Sequence, residues 1–421
     1  MTSVTRRREE QAAAVRESRR TGLPGFLHRR VDGLPGPFWV LWSGTLVNRI
    51  GLLVEPFLAF YLSAQGLSLG AIGVALAMSG AGSILSQLIG GALADRIGRR
   101  ATLTLGMLSN AAALLALGYV RGFVPLLAAT FAVGLTIDMY RPASAAMVAD
   151  VVAPDDRPRA YGLLFWAVNL GFSVAMVLGG TLARAGFVWL FWADAITCAI
   201  FGLVVWFAVP ETRARRPDGS AEPGGFLDVL HDPLMVGFVL LSLAVSFVYM
   251  QAYTTLPLAM KLTGLPAQAY GLAMAVNGVV IIAVQPLVSG WLGRRDINTV
   301  LACGIALIGA GFGLTTLAST TWSYAGTVFV WTLGEITMAG TAAAIVAHLA
   351  PAHLRGRYSG LFGLSYSAGY LLAPLGGTRL LERGQAALWL SCAGLCVAAA
   401  LGQLALGPAI RRRQDPARAD A

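Results

Sequence analysis

Six charged side chains stand away from the ends of long apolar stretches of this 421-residue chain: Arg49, Glu55, Asp138, Arg141, Asp194 and Glu335. Charges at such depth are costly, and they mark proton relays, substrate contacts or mutual ion pairs. Asp138 and Arg141 are i, i+3 on one helical face, a natural pair. Glu335 has no charged neighbour within a turn of its own helix. It is therefore the better candidate for carrying a proton, with Asp138 and Arg141 shaping a cavity or reading substrate charge. Arg49 is within reach of the acid of either stretch. Glu55 shares a helical face with Asn48 and precedes Pro56; it reads equally well as a solvated carboxylate at a cavity mouth. Asp194, just after Trp189, Phe191 and Trp192, reads as helix packing. Two arginines facing four carboxylates leave at least two acids without a full counter-charge, which a proton, water or an organic cation must supply.

The stretches that position these residues are twelve, at about 37–62, 69–94, 101–120, 123–149, 160–182, 186–209, 233–260, 267–292, 297–317, 321–349, 358–381 and 386–406. Each is near or above the ~20 residues a helix needs to cross the hydrocarbon core. With no water there for the backbone, they must be helices or a closed barrel, and they lack the alternation of barrel strands. The sequence therefore predicts an all-α membrane protein. At 56% hydrophobic and 12% charged it leaves no room for a sizeable soluble domain.

The net charge of +10 is one of topology. Of 31 Lys and Arg, 24 fall in the tails and alternate connectors on one side, which predicts that both termini are cytoplasmic in the cell membrane. The excess suits anionic headgroups and argues against a nucleic-acid partner. No apolar run precedes Phe38, so residues 1–36 read as a cytoplasmic tail without a signal peptide. The four cysteines all lie within the stretches and read as buried, inert thiols. No metal cluster, nucleotide loop or Ser/His/Asp set is evident, so neither an enzyme nor a cofactor is expected.

Residues 210–232 are polar and divide the stretches six and six. This gives bundles at 37–209 and 233–409 and a second tail at 410–421. The halves echo each other at a fixed offset of 197 residues: Ala153-Pro154 with Ala350-Pro351, Tyr161 with Tyr358, Gly179-Gly180-Thr181 with Gly376-Gly377-Thr378, and Asp138 with Glu335. Duplicated halves are a signature of proteins that rock one half against the other around a site at mid-depth.

The connector after the second stretch reads Gly91-Ala-Leu-Ala-Asp95-Arg96-Ile-Gly98-Arg99-Arg100. It resembles the loop signature of the major facilitator superfamily and sits where that family carries it. Asp138-Met-Tyr-Arg141-Pro-Ala and Tyr249…Gln251…Leu256-Pro257 are similar to the twelve-helix drug:proton antiporter branch. The Gly-Pro of that branch's helix five is absent, and a proline stands in span eleven as Pro374. The second half keeps only a worn loop, Ser289-Gly290-Trp-Leu-Gly293-Arg294-Arg295.

The resemblance implies two pseudo-symmetric six-helix bundles with spans one, four, seven and ten lining a central cavity. The candidate cavity residues are then Asn48, Arg49, Glu55, Asp138, Arg141, Tyr249, Gln251, Tyr253, Asn277 and Glu335, with Gln285, Phe57, Tyr61, Trp166 and Trp331 as further walls. In the loop, Gly91 and Gly98 permit close approach. Asp95 suits the dipole of the helix that begins near Arg100. Arg96, Arg99 and Arg100 can pair with Asp95 or Asp150, a cluster able to latch one conformational state. The reading is a monomeric secondary transporter whose partners are a small-molecule substrate, protons and the bilayer, exporting drug-like or amphipathic compounds. The alternatives are a facilitator or symporter importing a polar metabolite, and a non-transporting scaffold or receptor.

Overall fold

A computed structural model describes residues 33–209, 211, 229–351 and 354–414; of Gly91, Asp95 and Arg141 it describes the backbone alone. Most of the linker and the tail calls at 1–32 and 415–421 lie outside the described residues. No strand occurs among the described residues. The first half contains α1 (Gly36–Ile50), α2 (Val54–Ala64), α3 (Leu69–Ile97), α4 (Arg99–Tyr119), α5 (Phe123–Ile137), α6 (Tyr140–Val151), α7 (Arg157–Ala185) and α8 (Val188–Ala208). The second contains α9 (Pro233–Tyr249), α10 (Gln251–Thr254), α11 (Leu256–Leu262), α12 (Ala267–Leu292), α13 (Ile297–Leu314), α14 (Thr321–Met338), α15 (Thr341–Leu349), α16 (Arg355–Glu382) and α17 (Gln385–Gln414). Ten crossings are long and apolar enough to span a bilayer. The fourth (α5 with α6) and the eleventh (α16, 28 residues) complete the twelve.

Spans one, four, seven and ten are each interrupted near mid-depth. In three of them a proline falls in the first turn after the gap: Pro56 in α2, Pro142 in α6 and Pro257 in α11. Proline has no N–H to continue the ladder, and it is tolerated in a first turn, where N–H groups lack intrahelical partners anyway. The fourth gap is made by Gly340, whose φ of 78° lies in the left-handed region. The gap in span one exposes two donors, the N–H groups of Leu53 and Val54. Both donate to Asp194 Oδ2 from α8, each at 3.1 Å. Asp194 is 2% exposed, so its packing role is that of a helix cap supplied from another span.

Contacts between the halves gather at the end far from the termini. Tyr270 packs edge-on against Phe57. The Lys261 ammonium donates to Ser63 Oγ, and Arg184 donates to Gln268, both at 2.7 Å. The crossings there bring backbone onto backbone. A Cβ on Gly271 would strike the Met176 carbonyl, one on Gly278 would strike Ser173, and one on Gly80 would meet the Leu371 backbone. Small residues of this kind let membrane helices approach closely. Toward the termini the same helices expose Tyr161 and Trp166 on α7 and Leu287 and Trp291 on α12. The molecule is thus packed at one end and open toward the side that carries its termini.

The last helix runs through Gln414, so Arg411, Arg412 and Arg413, read from sequence as tail, form its final turn. Arg413 donates to Asp232 Oδ2 at 2.6 Å, as does the Tyr358 hydroxyl at 2.7 Å, while Arg411 pairs with Asp296 at 3.3 Å. Burial pushes the Asp232 carboxyl up, but the bonds from Tyr358 and Arg413 outweigh it and hold the group below its usual value. A carboxylate lowered in this way contributes stability above its unfolded pKa and loses it as the pH falls through its folded one. A nitroxide at Gln414 is therefore expected to gain mobility on acidification below the ordinary aspartate range. In Asp232→Asn it should already be more mobile at neutral pH, and identical spectra for the two proteins would contradict this attachment.

Of the cysteines, Cys198, Cys392 and Cys396 are buried, but Cys303 is exposed on α13. This corrects the expectation that all four are buried: membership of a span does not decide which face of the helix a residue takes.

Candidate functional site

The carboxylate of Glu335 comes from α14, one turn before the gap in span ten. Its Oε1 accepts from the Tyr249 hydroxyl of α9 at 2.9 Å, and its Oε2 accepts from Asn277 Nδ2 of α12 at 2.7 Å. Asn277 also donates to Thr332 at 3.0 Å. No cation contacts Glu335 among the described residues. It borders a cavity of about 290 Å³ walled mainly by apolar side chains, among them Phe238, Val245, Ile281, Ile305 and Phe362. Phe165 of α7 lines it from the first half. Trp331 stands behind Tyr249, ring centroids 5.8 Å apart, and stacks on Phe312, which stacks on Trp389. This aromatic column fixes the hydroxyl that addresses the carboxylate. Apolar walls with a few placed polar groups are the usual form of a small-molecule pocket.

Asp138 occupies the matching place in the first half, as C-cap of α5. Its Oδ2 accepts from Ser83 of α3 at 2.7 Å. The pattern is the same in both halves: an acid of span four or ten is tied to the next-lining span two or eight. Asn48, Arg49, Glu55 and Asp138 surround a small polar pocket with Tyr140 and Asn110. Arg49 donates to the Tyr140 hydroxyl and lies over that ring, 6.0 Å from its centroid; its Nε has no hydrogen-bond partner among the described residues. Asn48 donates to Cys198 Sγ at 3.3 Å. Glu55 accepts from the Tyr370 hydroxyl of α16 at 2.9 Å, a polar bridge between the halves on the packed side.

Several of the sequence candidates sit elsewhere: Phe57 packs on Tyr270, and Trp166 is exposed. Gln251 is fully buried: its amide donates to the Ala373 carbonyl, and its Oε1 accepts from Thr255 at 2.7 Å. Tyr61 donates to the Leu117 carbonyl inside the first half. Tyr253 stands between Tyr249 and Phe172. Sequence reasoning missed Ser83, Tyr140, Tyr370 and Phe165. Tyr140 and Ser83 carried a signal, a polar group in a span that already held a charge or faced one.

At the loop, α3 ends at Ile97 and Gly98, at φ 98°, turns the chain into α4. The N–H of Arg99 donates to Glu211 Oε1 at 2.8 Å, so Glu211 places a carboxylate at this helix N-terminus, the role expected of Asp95. Arg99 pairs with Asp150 at 3.3 Å. Arg100 lies 4.8 Å from the Trp206 ring centroid, a cation–π contact at the membrane edge. Arg96 is exposed.

Twelve helical crossings in two repeated halves, with a mid-depth cavity in the second half that Phe165 borders from the first, define a polytopic membrane protein of the carrier type. The chain belongs to the Major Facilitator Superfamily, whose family model matches residues 41–374. It is 24% identical to the Na(+), Li(+), K(+)/H(+) antiporter of Planococcus maritimus, covering 78% of this chain and 85% of that protein. It is 25% identical to the multidrug resistance protein MdtH of Aeromonas salmonicida (strain A449), covering 81% and 87%. Its fold resembles that of a peptide transporter POT crystallised with sulfate, at a TM-score of 0.77 and 18% identity, covering 91% of this chain and 96% of that one.

Proposed function

We propose that this transporter exports small amphipathic compounds, cationic ones foremost, in exchange for protons. The observation that carries the reading is the Glu335 site: one carboxylate, addressed by two neutral donors, at the edge of an otherwise apolar and aromatic cavity. A proton or a cationic substrate neutralises it, and the two exclude each other. The Tyr249 hydroxyl serves either state, donating to the carboxylate and accepting from the carboxylic acid. The names of two relatives, a multidrug resistance protein and a cation/proton antiporter, agree with export and with proton exchange. Apolar walls argue against a polar metabolite as cargo. The Arg99, Asp150 and Glu211 cluster is the proposed latch of the state open toward the termini, and that side is the proposed cytoplasmic one.

The test is a substrate-dependent pH change in proteoliposomes, screened over cationic, neutral and acidic compounds, with sodium present and replaced by choline. Proton release on the side of substrate entry, independent of sodium, is the expected result. Substrate movement without any pH change would refute proton exchange.

Topology offers a separate check. Single cysteines at positions 20, 220 and 418 are expected to react with impermeant maleimide only in inverted vesicles, and ones at 121 and 261 only in right-side-out cells. Labelling of position 220 from outside would break the six-plus-six arrangement.

A further inference from the structure

The Glu335 cavity continues past span ten. A second cavity, about 260 Å³, lies toward the terminal side between the end of α12, the start of α13 and the gap at Gly340. Gln285, Ile336 and Ala339 wall both cavities. The second one follows from a backbone event. The left-handed Gly340 turns α15 out of line with α14, and α15 packs against α13, α16 and α17. In the first half the corresponding α6 packs on α3 and α4. The space left beside α12 is lined by Ser289, Thr337 and Thr341, with Arg295 at its mouth.

At the junction, Gln285 Oε1 is buried without a hydrogen-bond partner. A buried acceptor left unpaired carries a desolvation penalty that an incoming donor removes. Arg295, its guanidinium 5.0 Å from the Trp291 ring centroid, places positive charge at the far mouth, which disfavours a second cationic group there.

We propose that the two cavities form one bent slot for an elongated amphipathic cation. Its single charge lies against Glu335, a turn of the Gln285 side chain presents Oε1 to a hydrogen-bond donor at the bend, and its neutral end enters the second chamber. The proposal rests on the Glu335 cavity being the substrate site. It makes Gln285 a specificity-determining residue, selecting cations that carry a neutral N–H or O–H away from the charge.

Two probes separate the ideas: ethidium, a cation with aryl amine donors, and tetraphenylphosphonium, a cation with none. Both are expected to bind the wild-type protein in detergent. Gln285→Leu should weaken ethidium about fivefold or more, the range of one lost hydrogen bond, and leave tetraphenylphosphonium unchanged. Ala344→Trp, which fills the second chamber without touching Gln285, should discriminate in the same sense. Retained tetraphenylphosphonium binding shows that each variant is folded. Unchanged ethidium binding, or equal losses for both cations, would overturn the slot. A wild-type protein that binds neither cation would bring down the substrate-site reading itself, and the slot with it.

Discussion

Glu335→Gln is expected to abolish pH-driven accumulation and to leave downhill exchange of substrate, at lowered affinity for a cation that has lost its counter-charge. The amide keeps the shape of the carboxylate and an acceptor for Tyr249, but its charge state no longer changes. For one-to-one exchange of a monovalent cation against a proton, one pH unit sustains about a tenfold substrate gradient. In proteoliposomes the wild type should approach that ratio, and the variant should settle at unity while still equilibrating labelled substrate across the membrane. Asp138→Asn is expected to behave differently. Its amide still accepts from Ser83, and substrate affinity or turnover should fall with the gradient preserved. Full accumulation by Glu335→Gln would refute the assignment, and uncoupling by Asp138→Asn alone would exchange the two roles.

Asp194→Ala should be among the most damaging single changes for stability. It removes the acceptor for the Leu53 and Val54 N–H groups in a gap of span one that no water reaches from the bilayer. The Val54 N–H is orphaned, at roughly 1–3 kcal/mol, the Leu53 N–H keeps only the Gly51 carbonyl at 2.7 Å, and a cavity adds to the loss. The melting temperature in detergent should drop by many degrees. Asp194→Asn retains an acceptor oxygen and should lose much less. An alanine variant melting with the wild type would mean that the gap is satisfied by other means and that Asp194 is not its cap.

Much of this architecture is written in hydropathy. Length and apolarity mark the crossings, the 197-residue offset pairs Asp138 with Glu335, and the structure ties both to neighbouring spans in the same way. What escaped is rotation and interruption. Gln251 reads as a cavity amide because it shares a span with Tyr249, yet its side chain turns inward against Gly377 and serves the fold. Which face a residue takes depends on packing partners far along the chain, as with Asp194 and Leu53, 141 residues apart. The gaps in spans one, four and seven had visible causes in Pro56, Pro142 and Pro257. A proline alone does not settle the matter, because Pro286 and Pro374 sit inside continuous helices. In span one the cap that Asp194 supplies from another span accompanies the gap, and no residue near Pro56 announces it.

The glycine crossings at the packed end make each half a lever. Near Gly180 and Gly271 backbone meets backbone, and at Gly278 only the short Ser173 side chain intervenes, so the fulcrum is thin and runs from one end toward the middle of α7. From Gly180 to Arg157, α7 extends ~35 Å, and a tilt of ~10° at the fulcrum moves its far end by roughly 6 Å. That is the width of a small aromatic molecule, obtained from a displacement of roughly 2–3 Å at the Ser173 and Asn169 contacts with Gly278. Adding a methyl at Gly271 or Gly278 thickens the fulcrum rather than the site. Its effect should be read as a change in how far the mouth swings, in the size of cargo admitted, with the chemistry at Glu335 untouched.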